Sequence, residues 1–103
     1  IYFGNSTLRY EHKSVFDAQL DKSYAIALGD LDADKDVDIV IANHGAPNTY
    51  FINQNQGTSW KKYALSAEAY HTYDIVLSDL NGDGRLDIIE SNSDERNLYY
   101  FNQ

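Results

Sequence analysis

Two nine-residue stretches, Asp30-Leu31-Asp32-Ala33-Asp34-Lys35-Asp36-Val37-Asp38 and Asp79-Leu80-Asn81-Gly82-Asp83-Gly84-Arg85-Leu86-Asp87, carry nearly the same acidic pattern 49 residues apart. Oxygen side chains recur at the first, third, fifth and ninth places of each. Carboxylates so crowded repel one another and destabilise a loop unless a cation sits among them. Calcium takes roughly six to eight oxygen ligands in flexible loops, so each stretch reads as a cage for a hard cation. The same spacing marks the chain as a repeat, which restricts the fold to stacked copies of one supersecondary unit.

More of the chain repeats at this interval. Thr49-Tyr50-Phe51-Ile52-Asn53 corresponds to Leu98-Tyr99-Tyr100-Phe101-Asn102, and 48 residues before Tyr50 stands Tyr2, in Tyr2-Phe3-Gly4-Asn5. The chain therefore opens and closes at the same point of the repeat. It holds two units, approximately 1–49 and 50–98, within a single repeat domain over 1–103, and residues 97–103 begin the next unit. Between turn signals such as Gly45-Ala46-Pro47-Asn48 and Asn53-Gln54-Asn55-Gln56-Gly57, the residues are β-branched and aromatic. Strands are expected near 1–4, 8–16, 24–29, 37–42, 48–53, 60–65, 72–78, 86–91 and 97–102, and no segment has helical periodicity. In Tyr24 to Gly29, one face is Tyr24, Ile26 and Leu28 while the other is Ala25, Ala27 and Gly29. In Val37 to Ala42, Val37, Ile39 and Ile41 oppose Val40 and Ala42. Both faces are apolar, which suits sheets stacked face to face and covered on both sides. Leu8-Arg9-Tyr10-Glu11-His12-Lys13 is more polar and reads as a solvent-facing edge.

A chain of 103 residues amounts to one domain or less. Its net charge of −8 and pI near 4.5 argue against nucleic acid or an anionic membrane as a partner. Eight of the 16 acidic residues are the loop aspartates, so two bound calcium ions would cancel half the net charge. With no cysteine, disulfides say nothing of the redox compartment. Loops of this kind saturate with calcium more readily outside the cytosol, so an extracellular or cell-surface location is expected. No signal peptide, transmembrane run or lipidation motif is visible.

Four-stranded units of this length, with an aspartate-rich loop between two apolar strands, are blades of a β-propeller. Tyr24-Ala25-Ile26-Ala27-Leu28-Gly29-Asp30 through Asp38-Ile39-Val40-Ile41-Ala42-Asn43 resembles the VCBS and FG-GAP repeats of integrin α-chain propellers and bacterial secreted proteins. Tyr73-Asp74-Ile75-Val76-Leu77-Ser78-Asp79 through Ile88-Ile89-Glu90 matches as well. The resemblance implies an all-β fold of two four-stranded antiparallel blades plus one extra strand. It implies that Asp30, Asp32, Asp34 and Asp38, with the Asp36 carbonyl, hold one calcium ion. Asp79, Asn81, Asp83 and Asp87, with the Arg85 carbonyl, hold a second. The family's loop glycines are present as Gly82 and Gly84 but replaced by Ala33 and Lys35 in the first unit. A non-glycine residue at positive φ costs on the order of 1 kcal/mol, so the first loop has one more carboxylate in its implied ligand set but a less relaxed backbone. The FG pair is replaced by Lys22-Ser23; Gly45-Ala46-Pro47 matches the GAP element, where the second unit has Asp94-Glu95-Arg96.

Asp79, Asn81, Asp83, Gly84 and Glu90 also fit an EF-hand loop, but that motif needs flanking helices where this chain is strand-like. The first loop moreover has Ile41 at the glutamate position. A solvated acidic turn without metal is the plain alternative, and two matching loops in one repeat argue against it. His12, His44 and His71 stand in no metal-ligand spacing or triad pattern. No pair of carboxylates can be singled out for glycoside hydrolysis either. Trp60 and most tyrosines fall where strand packing accounts for them.

Two blades cannot close a ring that needs about four to eight. The expected partner is a further copy in a homo-oligomer, or the remainder of a larger propeller, with a glycan or protein ligand and no nucleic acid or membrane insertion. The expected function is a non-enzymatic calcium-binding module for adhesion or recognition, against the rival of a propeller portion of a secreted polysaccharide-acting enzyme.

Overall fold

A computed structural model describes residues 2–3, 12–17, 22–54 and 56–103. It contains β1 (Tyr2–Phe3), β2 (His12–Lys13), β3 (Ser23–Gly29), β4 (Asp38–Asn43), β5 (Thr49–Gln54), β6 (Ser59–Ala64), β7 (Thr72–Ser78), β8 (Asp87–Asn92) and β9 (Leu98–Tyr100). There is no helix among the described residues. From β3 onward every strand begins within one residue of its expected start. Parts of the first two expected strands, including Leu8 to Glu11 of the polar edge, lie outside the described residues.

All pairing is antiparallel, in sheets ordered β1-β2, β3-β4-β5-β6 and β7-β8-β9. The strands thus divide two, four and three, where two fours and a surplus strand were expected. The acidic loops close the hairpins β3–β4 and β7–β8, and these hairpins start each larger sheet. Residues 65–71 then cross from one sheet to the other. β1, β5 and β9 occupy corresponding points of the repeat, so β2 and β6 both flank a copy of this strand.

The two larger sheets pack face to face, with β7 lying over β3 and β4. Val40 and Ala42 of β4 meet Ile75 of β7 and Ile88 of β8 in one buried cluster, flanked by Ala25, Ala27, Leu77 and Tyr100. The small residues of β3 allow the close approach. A Cβ on Gly29 would come within 2.7 Å of Leu86 and 2.9 Å of Leu77. On the other face of β4, Ile39 and Ile41 form a second cluster with Phe51, over which Phe16 and Trp60 pack. The Phe16 ring meets Phe51 edge-on at 5.0 Å. Every residue of β4 is buried, as its two apolar faces require.

A polar seam crosses the packed sheets near their strand ends. The Asn48 amide donates to Thr72 Oγ1 at 2.8 Å and to Glu90 Oε1 at 3.2 Å. Thr72 Oγ1 donates to Asn92 Oδ1 at 2.6 Å, and Asn92 Nδ2 to Glu90 Oε2 at 2.8 Å. Glu90, 1 % exposed, stands where the first unit has Ile41. A buried carboxylate is tolerable only when its oxygens are hydrogen-bonded, and both are.

The Gly29 contact makes this position sensitive to added volume. Gly29→Val should destabilise the chain by about 1–3 kcal/mol, the usual cost of overpacking. Val15→Ala, at a position 81 % exposed, should be near neutral. Chemical denaturation of both variants checks this, and equal stabilities would refute the close-packed junction.

Candidate metal centre

Each acidic loop is organised by its first and last aspartates. Asp30 accepts from the N–H groups of Asp34 (3.2 Å) and Lys35 (2.7 Å), which curls the loop back on its own start. Asp79 accepts from Gly82 (2.9 Å), Asp83 (3.1 Å) and Gly84 (2.8 Å) in the same manner. The fifth-place carboxylates repeat too: Asp34 accepts from the Asp36 N–H at 2.9 Å, and Asp83 from the Arg85 N–H at 3.0 Å. At the ninth place, Asp38 and Asp87 are fully buried. Asp38 Oδ2 accepts from the Leu31 N–H (2.7 Å) and Oδ1 from the Asn53 N–H (2.8 Å). Asp87 does the same with Leu80 and Asn102, both at 2.8 Å.

The first loop brings Asp30, Asp32, Asp34 and Asp38 together with ligand atoms all within 4.8 Å of one another. Among the described residues no other group of three or more such side chains converges so tightly. Hard oxygen donors in this number suit a hard divalent cation, calcium before the softer transition metals. In the second loop Asn81 stands at the place of Asp32, and its amide nitrogen can donate to Asp83 Oδ1 (3.0 Å) and Asp79 Oδ1 (3.2 Å). An internal donor thus relieves there the repulsion that the first loop leaves standing. Ala33 and Lys35 adopt φ of 60° and 74°, against 72° and 84° for Gly82 and Gly84. The first loop takes the glycine conformation without glycines, and carries the strain expected of it.

Crowding sets the electrostatics. Partial desolvation, a hydrogen bond to Asp34 and the charges of Asp38 and Asp34 push the pKa of Asp32 up to about 6. Desolvation acts on Asp30 as well, but the N–H groups of Lys35 and Asp34 outweigh it and hold this carboxyl below its ordinary value. The Gly84 N–H leads the bonds that keep Asp79 low against its own desolvation.

The opposite strand ends carry a feature that sequence reasoning missed. His44 and His71 form an isolated bridge between the two sheets, their rings 4.4 Å apart. The His44 ring also lies 4.8 Å from Tyr24 and 5.2 Å from Tyr73, and its Nδ1 is buried without a hydrogen-bond partner. Tyr24 and Tyr73, corresponding residues of the repeat, stack at 5.6 Å from the bulges that begin β3 and β7. His71 Nδ1 faces Glu95 Oε1 at 3.3 Å. The tyrosines could have been matched by the repeat, but His44 corresponds to Ser93 and His71 to Lys22. A groove of about 800 Å³ also opens beside the first loop, between Tyr50 and Ile52 on one side and Tyr100 and Phe101 on the other.

An acid whose pKa is raised in the folded state makes stability fall as pH climbs from its ordinary 3.8 to about 6. In EDTA, Asp32→Asn should therefore raise the melting temperature by a few degrees at pH 7 and change it little at pH 4. Thermal unfolding at the two pH values tests this, and an equal effect at both would show that repulsion is not the cause.

A family model described as an FG-GAP-like repeat matches residues 5–90. No curated protein and no solved structure gives a significant match. The matched span takes in both acidic loops, both hairpins they close and the packed junction between the larger sheets, and on that match the chain belongs to the FG-GAP-like repeat family.

Proposed function

We propose that this chain is a calcium-stabilised, non-enzymatic binding module of β-propeller type, acting in adhesion or in glycan or protein recognition outside the cell. The observation that carries the reading is the convergence of four carboxylates in a loop whose backbone pattern recurs 49 residues on. Asp30, Asp32, Asp34 and Asp38, with the Asp36 carbonyl, would hold one ion. Asp79, Asn81, Asp83 and Asp87, with the Arg85 carbonyl, would hold the other. Calcium supplies charge neutralisation there and no reaction. Binding the folded chain alone, it adds stability by mass action.

The chain's own residues do the rest. Asp38 and Asp87 tie each loop to the third strand of its hairpin unit, so ordering a loop also seats that strand. The sheets form two blades of a larger ring, completed by further copies or further chain. The ligand is met at the strand ends away from the acidic loops, where Tyr24 and Tyr73, each 54 % exposed, present aromatic rings beside His71 and Glu95. Exposed aromatic faces with polar neighbours suit a sugar ring or a peptide side chain.

Isothermal titration should give two calcium ions for the parent chain and one for Asp30→Ala or Asp79→Ala. Unchanged stoichiometry in both variants would reject the metal assignment. Binding on a glycan array without turnover would support the recognition role, and polysaccharide turnover by the chain would replace it with an enzyme.

A further inference from the structure

The packed junction between the two larger sheets contains a template for one not yet formed. It joins one face of the first sheet, built on Ala27, Val40 and Tyr50, to the opposite-facing surface of the second, built on Ile75, Leu77 and Ile88. The 49-residue repeat places the same two surfaces on the outside of the molecule as well. Val76, Ile89 and Tyr99 on the second sheet correspond to the first set, and Val76 and Tyr99 are 51 % and 62 % exposed. Ile26, Leu28 and Ile39 on the first sheet correspond to the second set; Ile26 and Leu28 are 57 % and 62 % exposed, while Ile39 is buried in the cluster that Phe16 and Trp60 cover. The register confirms that each set shares one face, since Ile26 pairs Ile41, Leu28 pairs Ile39, Val76 pairs Ile89 and Ile89 pairs Tyr99.

We propose that these two outer faces are the two halves of a head-to-tail interface, and that a second copy of this chain seats its first sheet on the second sheet of its neighbour. The proposal rests on the reading of the sheets as blades of an incomplete ring. Two details favour this occupant over an arbitrary apolar partner. At the internal junction Gly29 makes room for Leu86, whose Cδ1 lies 2.7 Å from where a Cβ would stand. At the outer faces the corresponding residues are Ser78 and Val37, so the gain on one side is met by a loss on the other. The hydrogen-bonding latch is repeated in part: Ser23 stands for Thr72, while Ile41 replaces the second acceptor, Glu90. Asn48 Oδ1 accepts from the Asn43 N–H at 2.7 Å while its amide reaches Thr72. Asn97 Oδ1 accepts from the Asn92 N–H at 2.8 Å, which places its amide to reach Ser23, the counterpart of Thr72, on a neighbouring copy. Phe16, which covers Phe51, is no obstacle, because its counterpart Leu65 lies within the internal junction.

The surfaces are heterologous, so repetition gives a ring if the rotation closes and an open stack if it does not. The test uses two face-blocked variants, Ile26→Glu with Leu28→Glu and Val76→Glu with Tyr99→Glu, all at exposed positions, with circular dichroism as the folding check. Sedimentation in calcium and physiological salt should find the parent chain at a multiple of 11.7 kDa and each folded variant as a monomer. Mixing the two variants should yield a one-to-one dimer and nothing larger, since each retains one intact face. A monomeric parent, association of either blocked variant alone, or a mixture that stays monomeric would overturn the proposal. A monomeric parent that still binds two calcium ions would leave the metal-binding reading in place and remove the docking alone.

Discussion

The buried carboxylates of Asp38 and Asp87 are the interaction on which the architecture turns. Each is fully buried, and each spends its two oxygens on backbone N–H groups from different segments: the start of its own loop, and Asn53 near the end of β5 for Asp38 or Asn102 just past β9 for Asp87. An ionised carboxylate in such a place is destabilising unless satisfied in full. The bonds therefore leave little choice of where the loop folds back or where the third strand runs. An asparagine at that place would offer one acceptor oxygen where two are needed. Whatever it contributes to the acidic cluster, the ninth aspartate of the motif is a splice between chain segments.

From this splice the two hairpins acquire the same shape, and the stacking of sheets follows. Ala25, Ala27 and Gly29 keep one face of β3 thin, which lets Leu77 and Leu86 approach. The larger residues of the facing strands fill the space that results. Asn102 adds a tie across the junction, its amide donating to the Leu31 carbonyl at 2.6 Å, whereas its counterpart Asn53 bonds the Val37 carbonyl within its own sheet at 3.0 Å. The first acidic loop is thereby hydrogen-bonded to both sheets, whereas the second meets the first sheet through the packing of Leu86 on Gly29.

Much of this was legible in the residues. Strand starts could be placed because the acidic loops and turns such as Gly45-Ala46-Pro47-Asn48 interrupt runs of β-branched and aromatic residues. The burial of β4 on both faces was visible in the apolar residues that alternate on neither side. The grouping of strands was not legible, because a repeat states the period of the pairing and not its phase. Nor was the bridge of His44 and His71, which joins positions that do not correspond in the repeat and meet only when the sheets stack. The burial of Glu90 was not legible either, since nothing in the sequence near it announces the Asn48 and Asn92 amides that satisfy its carboxylate. The convergence of the first aspartate set was expected from spacing. Its contrast with the second loop depended on the Asn81 amide, whose bonds only the folded loop reveals.

The exchange of Ile41 for Glu90 separates the inside of the molecule from its outside. Within the chain, the first sheet meets a surface bearing a carboxylate that its Asn48 amide satisfies. A surface bearing Ile41 leaves that amide one acceptor short, and a bare Glu90 left against an apolar partner would be more costly still. Strands that exchange partners during synthesis therefore meet an energetic penalty whenever the wrong copy of the repeat is chosen. One side chain labels otherwise interchangeable halves, and so discourages the tangled, swapped assemblies to which duplicated sequences are prone.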